Sequence, residues 1–532
     1  MTGTPVRPEP VDVCIVGSGP AGAMLGAALV RNGISVAVLE SGPRYPFALR
    51  PQAQRDYLRG IDPWLRQPES LDVYSCAGAL DYQLNTMRVR GVGGSSLHWQ
   101  AETPRLHAND FRMRSTYGLA EDWPLDYPEL EPHYVRAEHE LGVAGGVDPF
   151  ASPRSAPYPL PPLPYNYMDQ LLMKAAEPLG LRFSPIPQAR NSKPYGGRSQ
   201  CLGCATCTIC PTGAKASVDL THVPEIDQSA HGRVIEQATV LRLEPDERGR
   251  VRRAVYAGLD RVERAIEATV FVVAGGGIET PRLLLLSSGR EWRDGLANRS
   301  GLVGKGFREH PICYSSGNVT GPSYAHRISF WTATSNQFWN SPERAHRSAF
   351  SIIFRPECGP SPAEIARSSS LWGDRLDRLV TTEFGHTVTV ESPIDMLSYA
   401  RNSVDLDPEL RDYHGLAAPR ISLSLSEYEV AGVHAAQQVH AQILQAFGAT
   451  GITADPNVGL MAHPAGTCRM GSDASRSVVD RDLRCHDVPN LYLVGSGAFT
   501  TSGLANPTLT IAALALRLGD HLVSASRTGA LQ

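Results

Sequence analysis

Residues 11–40 read VDVCIVGSGPAGAMLGAALVRNGISVAVLE, and the way this stretch divides sets the fold. Residues 11–16 are an apolar run of strand length, residues 20–30 are small and helix-compatible, and residues 36–39 are a second apolar run that ends at Glu40. Asn32-Gly33 supplies the turn between helix and second strand. The pattern predicts a β-α-β unit with parallel strands. Gly17, Gly19 and Gly22 stand in G-x-G-x-x-G register at the first turn. The first glycine permits the tight turn, the second lets backbone approach a pyrophosphate, and the third lets the helix lie close on the strand, with the helix N-terminus facing the phosphates. Glu40 stands where an acid is expected to bind a ribose hydroxyl.

Outward from that unit, 532 residues exceed one simple core, so the chain holds two or more domains or one large α/β domain with insertions. Hydrophobic residues at 42% and charged residues at 20% are ordinary for a soluble globular protein and exclude wholesale disorder. A formal net charge of −4, with both signs scattered, gives no electrostatic footprint for nucleic acid. The N-terminal residues carry no basic segment followed by an apolar run and a cleavage site, and no segment reaches 18 uninterrupted apolar residues. The expectation is a cytoplasmic protein without a membrane span. Cys14, Cys76, Cys313, Cys358, Cys468 and Cys485 are widely spaced singles, read as buried thiols in a reducing compartment.

Residues 87–105, MRVRGVGGSSLHWQAETPR, hold a small-residue loop, Gly91 to Ser96, that a flat ligand can approach. Residues 106–200 are rich in proline and tyrosine and are read as an insertion lobe without long periodic helices. Strands are predicted at 234–243 and 251–257, and residues 269–288 as strand, glycine turn and helix. Alternating stretches at 386–392 and 420–429 predict an antiparallel sheet, followed by a helix at 429–447. The last 80 residues return to α/β character, with a terminal helix at 506–523. The expected architecture is α/β: a discontinuous nucleotide domain (1–105, 211–325 and 451–532) interrupted by a substrate lobe (106–210 and 326–450) built on an antiparallel sheet.

Four segments in order carry a resemblance: VGSGPAG with Glu40, RGVGGSSLHW, AGGGIETPRLLLLSSG at 274–289, and HPAGTCRMGSD at 463–473 followed by GSGAFTTSGLANPTLTIAALA at 495–515. Over nearly its whole length the chain resembles the glucose–methanol–choline (GMC) flavoprotein oxidoreductases. The third segment has Gly276 and Gly277 where the family usually has an alanine, a departure expected to be without consequence. The resemblance implies a Rossmann-type domain binding FAD, with Gly93, Gly94, Ser95, Ser96, Val240, Gly275, Gly497 and Asn506 among the cofactor-contacting positions.

An alcohol gives up a hydride to a flavin only if its hydroxyl proton also leaves, so a base must stand beside the flavin. The resemblance assigns that base to His463 and its partner to Asn506, which can bond a substrate oxygen without competing for the proton. Asn506 also reads as a helix N-cap ahead of Pro507. His310, His386 and His440 read as structural or surface residues. SSLHW is similar to the loop that carries a flavin-linked histidine in pyranose 2-oxidases, so His98 is either a covalent FAD attachment or a packing residue, and Trp99 a packing wall.

Cys201, Cys204, Cys207 and Cys210 fall in one stretch, 198–217, spaced C-x2-C-x2-C-x2-C. That spacing differs by one residue from the bacterial ferredoxin run. The segment resembles one in bacterial FAD-dependent glucose dehydrogenases that hold an iron–sulfur cluster, but lacks the adjacent cysteines at its start. An iron–sulfur cluster, structural zinc and unligated thiols all remain open. The expected substrate is a small-molecule alcohol, a sugar or sugar-containing compound; amino sugars of aminoglycoside type and sterols or long-chain alcohols are alternatives. The electron acceptor is oxygen, a quinone or a protein carrier. A different class, a flavin and iron–sulfur electron-transfer subunit, is opposed by the presence of both His463 and Asn506.

Overall fold

The computed structural model describes residues 10–62, 64, 72–321, 323, 330–356, 359–529 and 531. Cys358 lies outside them. The opening stretch folds as its pattern predicts, into β1 (Val11–Val16), α1 (Pro20–Val30) and β2 (Val36–Leu39). β1 pairs parallel with β2, Val13 opposite Val36, and on its other side with β8 (Glu263–Val273), Val13 opposite Val270. Both faces of these strands are covered, which is why they read as continuous apolar runs rather than alternating ones. β5 (Gly232–Ile235) extends the parallel sheet beyond β2, and β17 (Leu491–Leu493) adds to β8 from the far end of the chain. β7 (Val251–Ala257) and β6 (Thr239–Pro245) continue it antiparallel. The C-terminal helix, Thr508–Arg527, packs on α1, where Gly519 stands against Ala28.

A second sheet is antiparallel throughout and runs in the order β15 (Thr450–Ala454), β9 (Pro311–Asn318), β12 (Thr387–Pro393), β11 (Ile352–Phe354), β10 (Ala333–Ser335), β4 (Ser184–Pro185), with β16 (Gly459–Leu460) also on β9. One face is covered by the helix Glu427–Ala446, whose Val433, Ala436, Ile443 and Leu444 share a core with Val388, Val390 and Phe354. β9, β15 and β16 belong to this sheet, so apart from β4 its strands run from about residue 311 to 460, beyond the expected 326–450. A third, small sheet joins β13 (Ser403–Arg411), β14 (Ala417–Leu423) and β3 (Ser75–Gly78).

The expectation that residues 106–200 lack long helices is overturned: α2, Tyr127–Leu141, spans 15 residues. Pro128 falls in the first turn, where helices tolerate proline, Pro132 lies inside the helix and forgoes one backbone hydrogen bond, and a capping box pairs Asp126 with Glu129. Gly142 ends it with a positive φ of 67°.

Candidate active site

A cavity of about 760 Å³ runs between the two main sheets, from the β1–α1 turn at one end to His463 and Asn506 at the other. At the first end Gly17 takes φ +103°, and a Cβ on it would lie 2.7 Å from the Ala274 carbonyl oxygen. A Cβ on Gly94 would lie 2.9 Å from Gly19 Cα, so the two glycine turns meet backbone to backbone. Ser18 Oγ accepts from the Gly93 amide (3.1 Å) and donates to a Glu40 carboxylate oxygen (2.8 Å), locking the two turns to the acid. A narrow glycine floor, an α1 N-terminus free of side chains and an acid at the end of β2 suit a dinucleotide. The residues present therefore fit FAD.

Gly17, Gly19, Glu40, Gly94, Ser95, Ser96, His98, Val240, Gly275 and Asn506 all line this cavity. Gly22, Gly93 and Gly497 do not line it. A Cβ on Gly22 would fall 1.9 Å from the Gly17 carbonyl oxygen, Gly93 turns at φ +102° against Asp219, and Gly497 lies close to the Gly276 carbonyl and Thr467. Their role is to shape the turns that others present.

His98 lines the cavity and is held neutral, its pKa pushed down to about 4 by burial and by Lys215. Lys215 itself is buried, with Nζ donating to the carbonyls of Leu97 (2.9 Å) and Trp99 (3.0 Å), so it fastens the His98 turn from behind. Burial pushes its pKa down to about 7. Trp99 donates its indole N–H to the Ala216 carbonyl and forms part of the wall.

At the other end His463 sits on a short loop after β16 in which Ala462 takes φ +63°. Its backbone N–H donates to the Glu309 carboxylate at 2.7 Å, which also accepts the His310 N–H at 2.8 Å. His463 Nδ1 lies 2.9 Å from His310 Nδ1, the two rings nearly perpendicular at 85°. His310 Nε2 lies 2.9 Å from the Gly503 carbonyl oxygen, which can only accept. His310 therefore carries its proton on Nε2 and offers a lone pair at Nδ1. His463 must donate from Nδ1, which leaves its Nε2 as a bare acceptor on the cavity side. Both rings are neutral: burial pushes His310 down to about 4 and His463 well below 6.5, with His310 adding to the shift at His463. His310 is thus a buried structural residue, as expected, that touches His463 from behind the cavity wall. His440, by contrast, is buried between Ser392 and Ser315 in the second sheet.

Asn506 Nδ2 lies 3.4 Å from His463 Nε2. The C-terminal helix begins at Thr508 with Pro507 as its cap residue, so Asn506 is not the N-cap and its amide is free to face the cavity. That helix directs its positive end at the same corner. Glu102, also on the cavity wall, is buried, and burial pushes its carboxyl up to about 7. Tyr314, Trp331, Arg355 and Glu391 line the chamber beyond His463.

Sequence reasoning missed Glu102, Glu309 and Lys215, and the contact of His310 with His463. Glu309-His310 directly precedes the first residue of β9, and pairing of Leu460 with Pro311 brings it beside His463 from about 150 residues away. No local spacing announces such a contact. Gly277 was also undervalued: a Cβ there would lie 2.4 Å from the Pro464 carbonyl oxygen.

The four clustered cysteines do not form a metal-binding group. Among the described residues no three His, Cys, Asp or Glu side chains form a group able to hold a metal ion. The nearby partners are local: Gly203 N approaches Cys201 Sγ, Cys204 Sγ approaches Thr206 Oγ1, and Lys215 N approaches Cys210 Sγ. As folded here the loop does not fit an iron–sulfur cluster or zinc, and no step is derived through either. All nine described cysteines are free; Cys14, Cys313, Cys468 and Cys485 are buried as expected, while Cys76 is half-buried. No helix among the described residues is long and apolar enough to cross a membrane.

The GMC oxidoreductase models match residues 75–312 and 398–515, and an FAD binding domain model matches residues 10–46. The fructose dehydrogenase large subunit of Gluconobacter japonicus is 32% identical, over 97% of this chain and 98% of its own. Paromamine 6'-oxidase of Streptomyces fradiae is 30% identical, over 95% and 90%. The crystal structure of pyridoxine 4-oxidase from Mesorbium loti covers 96% of this chain and 99% of its own with a TM-score of 0.64 at 18% identity, a likeness of fold. The chain belongs to the GMC oxidoreductase family and is an FAD-dependent enzyme acting on CH–OH donors.

Proposed function

We propose that the enzyme oxidises a CH–OH group of a sugar or other polyol, with His463 as the base and Asn506 as the partner that steadies the substrate oxygen. The observation that carries this is the convergence of a bare His463 Nε2 and an Asn506 N–H on one corner of the cavity. A hydroxyl placed there donates to Nε2 and accepts from Asn506. As its proton passes to Nε2, the Nδ1–H held by His310 keeps the ring from rotating, and the Asn506 N–H meets the negative charge growing on oxygen. FAD, when bound, accepts the hydride. Beyond this corner, the faces of Trp331 and Tyr314 suit the C–H surface of a sugar, while Arg355 and Glu391 suit its hydroxyls. The names of the relatives above, one acting on fructose and one on paromamine, support the same class.

The test is anaerobic titration of the flavin with D-fructose, D-gluconate, paromamine, 2-methyl-1,2-propanediol and a sterol. Bleaching by a sugar or sugar acid supports the reading, and bleaching by none of the sugars overturns the substrate class. His463→Ala is expected to lower the rate of flavin reduction by about 10²–10⁴-fold; a rate equal to wild type would remove His463 from the mechanism. A neutral His98 on the cavity wall is also the residue to carry a covalent flavin link. Acid precipitation then leaves the flavin with the wild-type protein and releases it from His98→Ala.

A further inference from the structure

β16 and β9 pair antiparallel with Gly459 opposite Ile312 and Leu460 opposite Pro311, and Met461 N donates to the His310 carbonyl in the same register. The pairing resumes at Arg308 and Ala465, which exchange backbone hydrogen bonds of 3.1 and 3.0 Å. Between these two points the four residues Met461 to Pro464 face only two, Glu309 and His310. The longer side bulges outward, with Ala462 at φ +63°, and the bulge carries His463 to the cavity wall. A bulged residue loses its backbone partner across the ladder. The His463 N–H is met instead by the Glu309 side chain, with Oε1 at 2.5 Å and Oε2 at 2.7 Å, and Oε1 also accepts the His310 N–H at 2.8 Å. We infer that Glu309 is a positioning residue for the base: its carboxyl oxygen stands in for the missing strand partner and holds the bulge in the shape that aims His463 at the substrate.

This inference rests on the role given above to His463. Two grips meet on that residue: Glu309 holds its backbone N–H, and the His310 ring holds its Nδ1 at 2.9 Å. The backbone grip sets where the Cα stands, and the ring grip sets how the imidazole turns about it. Neither replaces the other. A left-handed φ at an alanine persists only where its surroundings over-determine it, and Pro464, next in the bulge, has no N–H with which to anchor the chain. Glu309 is buried, so water does not compete for its oxygens. Burial pushes its carboxyl up to about 8, and the grip holds in either protonation state because the one oxygen Oε1 accepts from both N–H groups. Without that oxygen the His463 N–H is a buried donor with no acceptor, and the bulge relaxes until it finds one. A displacement of about 1 Å at the reacting atoms costs about 10²-fold in rate.

The experiment compares Glu309→Leu, which fills much of the same space without an acceptor, with Glu309→Gln, which keeps an oxygen at the Oε1 position. Both are read by anaerobic stopped-flow reduction of the holoenzyme flavin. The probe is D-fructose or, if that does not bleach the flavin, the titration compound that does so fastest. Glu309→Leu is expected to lower the limiting reduction rate about 10²-fold and to leave the apparent substrate dissociation constant nearly unchanged, and Glu309→Gln to recover most of that loss. If Glu309→Leu yields no folded holoenzyme, Glu309→Ala takes its place. A second readout needs neither turnover nor the leucine variant: hydrogen exchange at the His463 amide should be slow in the wild type and in Glu309→Gln. A wild-type rate without the acceptor, an equal loss in Glu309→Gln, or fast exchange at the His463 amide of the wild type would each overturn the inference, and a rate collapsed in His463→Ala would then leave the site reading intact. An undiminished rate in His463→Ala would overturn the reading beneath it.

Discussion

The proton on His310 Nε2 is committed to the Gly503 carbonyl, and this one contact propagates through two rings to decide which nitrogen of His463 can act. Replacing His310 by leucine leaves the His463 Nδ1–H without an acceptor, so the ring can take either tautomer and turn away from the cavity. The expected result is a fall of about 10²-fold in flavin-reduction rate with little change in the apparent substrate dissociation constant. His310→Asn keeps an acceptor near the Nδ1 position and should recover much of the rate. Equal losses in the two variants would show that His310 only fills space. At this scale the sequence was half legible: His463 and Asn506 stand in recognisable segments, whereas Glu309 and His310 matter because β9 pairs with β16. Glu102 and Lys215 act through burial, which raises the carboxyl and lowers the ammonium, and burial of a single charged residue leaves no mark in local spacing.

At the scale of elements, the helix α3, Gly276–Leu286, carries the loop that presents His463. Thr467 Oγ1 donates to the Gly277 carbonyl at 2.8 Å, and Ser496 Oγ donates to the Pro464 carbonyl at 2.6 Å, so the loop is pinned against the first turn of the helix. A Cβ at Gly277 meets that same Pro464 carbonyl, so the loop and not the helix has to move. Gly277→Ala is therefore expected to shift His463 and cost about 10²-fold in flavin reduction, the penalty of a displacement near 1 Å at the reacting atoms. The flavin content and the position of the visible absorption bands measured beside the rate separate a displaced base from a lost cofactor. Gly276 has open space where its Cβ would stand, but takes φ +72°, so alanine there strains the backbone instead. The β-α-β unit was legible because a two-sided sheet and a glycine turn impose a strict pattern on 30 residues. α2 was not, because Pro128 and Pro132 read as breakers, although Asp126, Glu129 and Gly142 bracket it with start and stop signals.

At the scale of the whole molecule, two sets of buried groups pull the stability in opposite directions with pH. Asp169 is pushed up to about 7, Glu102 to about 7 and Glu309 to about 8, in each case by burial. In the unfolded chain these carboxyls ionise near 3.8 to 4.5, so the folded state binds more protons between those values and pH 7 to 8. Their contribution is complete at low pH and is lost as the pH rises through that window. The histidines run the other way. His98 and His310 are pushed down to about 4 and His440 to about 3, from 6.5 when unfolded. Their contribution is complete above pH 6.5 and is lost as the pH falls toward 4. His463, pushed well below 6.5, joins them. Between about 4.5 and 6.5 the four histidines and three carboxyls nearly cancel with a small excess favouring higher pH, and above 6.5 only the carboxyls remain. The thermal midpoint of the holoenzyme should therefore turn over near pH 6.5 and fall toward pH 8. Calorimetric scans at pH 5, 6.5 and 8 check this, and Asp169→Asn, which lies away from the catalytic corner, should steepen the rise from pH 5 to 6.5 and slightly reduce the fall above 6.5. A midpoint that climbs steadily from pH 5 to pH 8 would mean that the three carboxyls are ionised in the folded state despite their burial.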